Sequence, residues 1–160
     1  GNFAFFTNNL ADWTKIKSEI AKNGEVLGLS YYIGVKDEDL KVQKYLKYLD
    51  SLGFAVSTKK LEKIKIEQND PRFSIYKSEY IFKANFDVEI ATDILLDKTK
   101  IDEVILFSGD SDFEYLIKKL KDSGIRVVVW SSRKTISWEL KLIASKIMYF
   151  EDIKSIIERK

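Results

Sequence analysis

Apolar residues in this chain fall into two rhythms, short unbroken runs and stripes at helical spacing, and the two take turns along most of its length. The run Val104-Ile105-Leu106-Phe107 has the unalternating apolar character of a buried parallel strand. Phe113, Leu116, Ile117 and Leu120 follow at the spacing of one helix face, and Gly124 marks that helix's end. The same reading predicts a helix over 12–22, with Asp12 as N-cap and Trp13, Ile16 and Ile20 on one face, and then a strand over 26–35. A helix over 37–52 carries Val42, Tyr45, Leu46, Leu49 and Leu52 as its stripe and stops at Gly53, before a strand over 54–57. Further elements are a helix from Asp87 to Leu96, a strand over 125–130, a helix capped by Ser137 and running to about Ser145, a strand over 147–149 and a terminal helix over 151–158.

Residues 61–83 break the rhythm. Ile64 and Ile66 alternate with lysines, Asn69-Asp70-Pro71 signals a turn, and the stretch from Phe73 to Phe82 is rich in aromatics. A hairpin or two short strands projecting from the sheet is expected there. The remaining alternation of strands and helices predicts an α/β fold, a mainly parallel sheet with helices on both faces.

Composition narrows the chemistry. With 160 residues the chain is expected to form one domain, and no apolar run approaches the roughly 20 residues of a membrane span. A cytoplasmic protein without a secretory signal is expected, and the lack of Cys fits a reducing compartment. There is no His and no Cys, so neither a Ser-His-Asp nor a Cys-His nucleophile system, nor an ordinary zinc site, can be assembled from these residues. Any catalysis rests on carboxylates, lysines, hydroxyls or a metal. The 27 basic and 25 acidic residues leave a net charge of only +2, so an argument for nucleic acid must come from local clusters.

The strand at 104–107 ends in Ser108-Gly109-Asp110-Ser111-Asp112-Phe113, which releases two carboxylates at the C-terminal edge of a sheet, where open α/β folds bind ligands. A capping box, with Ser111 as N-cap and Glu114 three residues on, accounts for Ser111, Asp112 and Glu114. It leaves Asp110, which gains little from that cap and is repelled by Asp112. A second acid, Asp87, begins the helix whose Ile90, Ala91 and Ile94 face inward, and there a helix-dipole role and a functional role both remain open. Glu89 and Asp93 fall on a different side.

Taken together, Lys83-Ala84-Asn85-Phe86-Asp87-Val88-Glu89-Ile90-Ala91 and Ile105-Leu106-Phe107-Ser108-Gly109-Asp110-Ser111-Asp112-Phe113 resemble the two motifs of the NYN family, the LabA-like branch of the PIN-like nucleases. Asp12-Trp13 with Ile16, Tyr31-Tyr32, Gly124, and Ser137 with Leu140 and Ala144 match as well, so the resemblance covers essentially all of residues 1–160. It implies a single PIN-like domain, a Rossmannoid three-layer sandwich, whose clustered acids Asp87, Asp110 and Asp112 bind Mg²⁺ or Mn²⁺ and hydrolyse RNA phosphodiesters. The physics agrees, since adjacent carboxylates repel until a cation joins them.

Partners follow from the same reading. Lys83, Arg133 and Lys134 are the expected RNA contacts, and Lys59, Lys60, Lys63, Lys65, Arg72 and Lys77 cluster around the hairpin with Tyr76 and Tyr80 between them. Single-stranded RNA is the expected ligand. The hairpin lysines would equally protect an exposed edge. A homodimer stays open, and no membrane partner is expected.

The chain departs from the family pattern in three places. The family's first acid ends strand one, whereas here the sequence opens Gly1-Asn2-Phe3, so that strand either precedes Gly1 or is Asn2–Phe6 itself without the acid. Ala84 stands for a common Gly, and Ser145 for a frequent Asp. The leading expectation is thus a metal-dependent endoribonuclease. The competing one is a non-catalytic RNA-binding or regulatory module with an incomplete acidic site, and an Asp-nucleophile phosphatase is a distant third.

Overall fold

The computed structural model describes residues 11–36 and 39–158. The candidate first strand at Asn2–Phe6 lies outside the described residues, as do positions 37 and 38 of the second helix. The chain divides into two compact units, one drawn from Gly1–Leu27 and Ala91–Lys160, the other from Gly28–Ile90. The fold is mixed α/β with parallel sheets, and no helix among the described residues is long and apolar enough to cross a membrane.

In the first unit, β5 (Glu103–Phe107), β6 (Arg126–Ser131) and β7 (Lys146–Tyr149) form a parallel sheet in that order. Leu106 pairs with Val129 and Phe107 with Trp130, while Trp130 pairs on its other side with Met148. Val127 to Trp130 are all buried, as the apolar run predicts for a strand covered on both faces. Around this sheet lie α1 (Trp13–Ala21), a 3₁₀ turn (Ser111–Phe113), α5 (Glu114–Asp122), α6 (Trp138–Ile143) and α7 (Phe150–Ile157). Trp13, Ile16, Phe113, Leu116, Ile117, Leu120, Leu140, Phe150, Ile153 and Ile157 supply the core. Phe107 sits amid three rings, with centroid distances of 5.8 Å to Trp13, 5.1 Å to Trp130 and 6.2 Å to Phe150.

Caps begin these helices where polar residues precede apolar stripes. The Asp12 carboxylate accepts from the Thr14 and Lys15 amides, and Ser137 Oγ accepts from the Leu140 amide at 3.2 Å. Gly124, at φ 81°, lets the chain reverse after α5 in a backbone conformation that other residues rarely adopt.

The second unit carries β1 (Ser30–Val35) parallel to β2 (Ala55–Lys60), joined through α2 (Leu40–Ser51). The predicted strand over 26–35 is shorter than expected because β2 offers six residues of pairing, from Ser30↔Ala55 to Val35↔Lys60. The same register carries β2 to Lys60, beyond its predicted end at Ser57. After it, β3 (Glu62–Lys65) and β4 (Tyr80–Lys83) form the expected antiparallel hairpin. Its connection holds an unpredicted helix, α3 (Pro71–Tyr76). Pro71 opens that helix with its φ preset, and Asp70 caps it by accepting from the Arg72 amide at 2.8 Å. Arg72 also clamps the Asp70 carboxylate, which brings its pKa down to about 2. Finally α4 (Asp87–Leu96) begins in this unit.

Gly34 on β1 has no room for a side chain: a Cβ there would overlap the Leu61 side chain and approach the Ala84 methyl to 2.9 Å. Gly34→Val is expected to cost about 1–3 kcal/mol by overpacking, lowering the thermal midpoint by several degrees. A melt indistinguishable from wild type would contradict this packing.

The loop after β6 is held by one acid. Glu151 Oε1, at the start of α7, accepts from Ser132 Oγ at 2.9 Å and from the Arg133 amide at 3.0 Å. Hydrogen bonds to a charged group contribute about 1.5–3 kcal/mol, so Glu151→Ala is expected to lower the melting midpoint by roughly 3–12 °C. Amide exchange at Arg133 should accelerate in the same variant.

Candidate metal centre

The Asp110 and Asp112 side chains emerge where β5 leaves the sheet. Three hydrogen bonds fix the backbone between them and the core. The Gly109 carbonyl accepts from the Ser137 amide at 2.9 Å, Ser108 Oγ accepts from the Asp110 amide at 3.1 Å, and Asp110 Oδ1 accepts from the Asp112 amide at 3.1 Å. The last of these corrects the capping expectation. The N-cap of the 3₁₀ turn is Asp110, not Ser111, and α5 proper starts at Glu114 without a side-chain cap. The sequence argument placed the cap one residue late because Ser-x-x-Glu fits an α-helical start, whereas the chain here first makes a tighter turn.

Capping uses little of the Asp110 carboxylate, whose two oxygens offer about four lone-pair sites. Asp110, Ser111 and Asp112 are all exposed, while Gly109 and Phe113 on either side are buried. The two acids are therefore held on a rigid support and face solvent. Among the described residues, no lysine or arginine forms an ion pair with either of them.

Asp87 is the first residue of α4 and is half-buried. Its amide donates to Asn85 Oδ1 at 2.8 Å, so the Asn of the motif makes the turn that starts the helix. Phe86 is buried against Tyr32 at 5.8 Å between centroids. Lys59 Nζ donates to the Asn85 carbonyl at 2.8 Å and pairs with Glu89 at 2.5 Å, holding the Glu89 carboxyl below its usual range. Glu89 thus serves as a structural partner of Lys59, while Asp87 pairs with none of the cations described. Ile90, Ala91 and Ile94 are half-buried, less enclosed than the stripe suggested.

Asp87, Asp110 and Asp112 each offer a carboxylate oxygen, the donor a hard divalent cation takes. No imidazole or thiolate competes for a softer ion, because the sequence has neither.

The expected phosphate contacts are less uniform. Lys134 is exposed, and its amide donates to Ser132 Oγ at 3.2 Å. Arg133 is engaged: its Nη2 reaches the two Asp152 oxygens at 2.8 and 2.7 Å, and its guanidinium lies 4.0 Å from the Tyr149 ring centre. The Asp152 hydrogen bonds raise the Arg133 pKa above its ordinary value. Lys83 is exposed at the end of β4, opposite Glu62 in register.

Two departures from the family pattern have local explanations. Ala84 packs against Gly34, which leaves room for its methyl group. Ser145 precedes β7, and its Oγ accepts from the Val127 amide at 3.1 Å near the start of β6, at the opposite strand ends from Asp110. A cavity of about 250 Å³ runs along one face of this sheet beside α1, lined by Ile20, Ile105, Arg126, Val128, Trp130 and Met148 among others.

The NYN domain model matches residues 2–151. The chain is 30% identical to the low amplitude and bright protein LabA of Synechococcus elongatus over 165 aligned positions, spanning 99% of this chain and 84% of that protein. A crystal structure of a protein of unknown function from Vibrio parahaemolyticus superposes with a TM-score of 0.68 at 23% identity, over 89% of this chain and 80% of that one, and shows the same fold. The chain belongs to the NYN domain family.

Proposed function

We propose that this protein is a cytoplasmic, metal-dependent endoribonuclease in which Asp87, Asp110 and Asp112 together hold Mg²⁺ or Mn²⁺. The observation that carries the reading is the pair Asp110 and Asp112, fixed at a strand end, exposed, and without a cationic partner among the described residues. Family membership supports a nuclease-type domain. When bound, such a cation supplies Lewis-acid stabilisation of the charge that builds on a phosphodiester during hydrolysis. The chain's own groups bind and orient. The Ser108 and Ser137 hydrogen bonds hold the acid-bearing turn, Asn85 sets the start of α4 beneath Asp87, and Lys83 and Lys134 offer exposed ammonium groups to phosphate oxygens. Arg133 joins them only by exchanging its contact with Asp152.

Asp110→Asn is the discriminating variant. Asn is as good an N-cap as Asp, so the turn survives while the charge that holds a hard cation is lost. On a single-stranded RNA substrate with Mn²⁺ or Mg²⁺, wild type is expected to cleave. Asp110→Asn should lose at least about 100-fold in rate, beyond the roughly 10–100-fold typical of an outer-shell partner. EDTA should stop the wild-type reaction. Equal cleavage in all three samples would trace to a contaminating ribonuclease, and RNA binding without cleavage would make the protein a regulatory module.

Metal binding is testable without turnover. Ligand at about 100 times its Kd stabilises by roughly 2.7 kcal/mol, which for a chain of this size raises the thermal midpoint by about 5–10 °C. Millimolar Mn²⁺ is expected to produce such a shift in wild type and not in Asp110→Asn. An unchanged wild-type midpoint would leave the acids with capping roles alone.

A further inference from the structure

The hairpin of the second unit has one apolar side and one side of a different kind. Ile64 and Ile81 pair across it, with Ile81 buried, and Ile66 continues that side at 2% exposure. Strand alternation sends the intervening residues the other way. There Lys63 pairs with Phe82 and Lys65 with Tyr80, so the outward side consists of two aromatic and two basic residues. Both rings are open to solvent, Tyr80 at 40% and Phe82 at 47% exposure. Cations already sit on them: Lys63 Nζ lies 4.0 Å from the Tyr80 ring centre and Lys36 Nζ 3.9 Å from that of Phe82.

Several other described charges of this unit are placed differently. Lys59 is committed to Asn85 and Glu89, and Arg72 to Asp70. Glu62 and Lys83 face the apolar side by alternation. Edge protection would explain lysines on this hairpin, but it does not require two large rings to stay exposed beside them.

We propose that this face, formed by Lys36, Lys63, Lys65, Tyr80 and Phe82, is a stacking platform for single-stranded RNA. Rings two residues apart on a strand stand about 6.6 Å apart. That is close to twice the ~3.4 Å step of stacked bases, so neighbouring rings accept neighbouring bases only from a strand that has been unstacked. A duplex hides its base faces and offers only phosphates. The lysines supply phosphate contacts and exchange their place over the rings with incoming bases, since an ammonium on an exposed ring is weakly held. The inference deepens the functional reading by assigning where the RNA strand is held, and it rests on that reading only for the class of ligand.

The test is fluorescence anisotropy of the full chain with a labelled oligouridylate and with an RNA duplex of equal length, in EDTA so that no cleavage intervenes. The doubly substituted Tyr80→Leu/Phe82→Leu protein keeps apolar side chains and removes the aromatic faces. It is expected to bind the single strand roughly 30-fold more weakly, the low end for two stacked bases. The Lys63→Gln/Lys65→Gln protein should reduce the slope of log affinity against log salt by about 1.4, near 0.7 per lost phosphate contact on a single strand. Binding measured in EDTA needs neither a metal ion nor cleavage, which separates this platform from the acidic centre. Wild-type circular dichroism and melting in each variant establish that the fold is intact. Unaltered binding by the Leu variant, or duplex bound as tightly as single strand, would overturn the proposal.

Discussion

The burial of β6 from Val127 onward is the constraint on which the first unit depends. Val127 to Trp130 have no solvent-facing side, and the strand is hydrogen-bonded on both edges, to β5 and to β7. A strand that is apolar on both faces gains no register from alternation, because a one-residue slip would bury equally apolar residues. Its ends must set the register instead. At the entrance Arg126 pairs with Glu103 at 2.8 Å, and Ser145 takes up the Val127 amide. At the exit of β5 the Gly109 carbonyl is tied to Ser137, and the loop after β6 is tied to Glu151. Polar contacts at strand ends therefore decide where Asp110 and Asp112 leave the sheet.

Asp110 has a structural role of its own as the cap of the turn it begins. As a cap it fixes its own rotamer and one oxygen, and so it presents the remaining lone pairs in a defined direction. A side chain already ordered by the fold loses little further freedom on binding a cation. The repulsion between Asp110 and Asp112 is tolerated because both are exposed, where the high dielectric of water weakens it. A divalent ion between them would relieve that repulsion.

The basic residues divide by what they touch. Lys59 and Arg72 organise the backbone around them, the first at the start of α4 and the second at the cap of α3. Arg133 is held by Asp152 and Tyr149. Lys36 and Lys63 rest on exposed rings that contribute no strong acceptor. Exposed ion pairs of the first kind add little stability in water, but they settle which cations remain available to a ligand.

The sequence by itself determined the order of elements, the inward faces of α1 and α5, the parallel character of β5 to β7 and the acids at a strand's end, because each follows from the pattern of nearby apolar residues. It was less informative where partners are distant in the chain. The start of β1 and the end of β2 were set by the six-residue overlap between them, and the need for Gly34 came from Leu61 and Ala84. The helix α3 inside the hairpin was concealed by an Asn-Asp-Pro signal that fits both a turn and a helix start. Sequence reasoning named Tyr80 and passed over Phe82 and Lys36, although Tyr80 and Phe82 flank Ile81 in plain alternation. Local spacing records which side of an element is apolar. Pairing, capping geometry and the occupant of an exposed ring are decided by residues brought close only when the chain folds, and those the tertiary structure alone supplied.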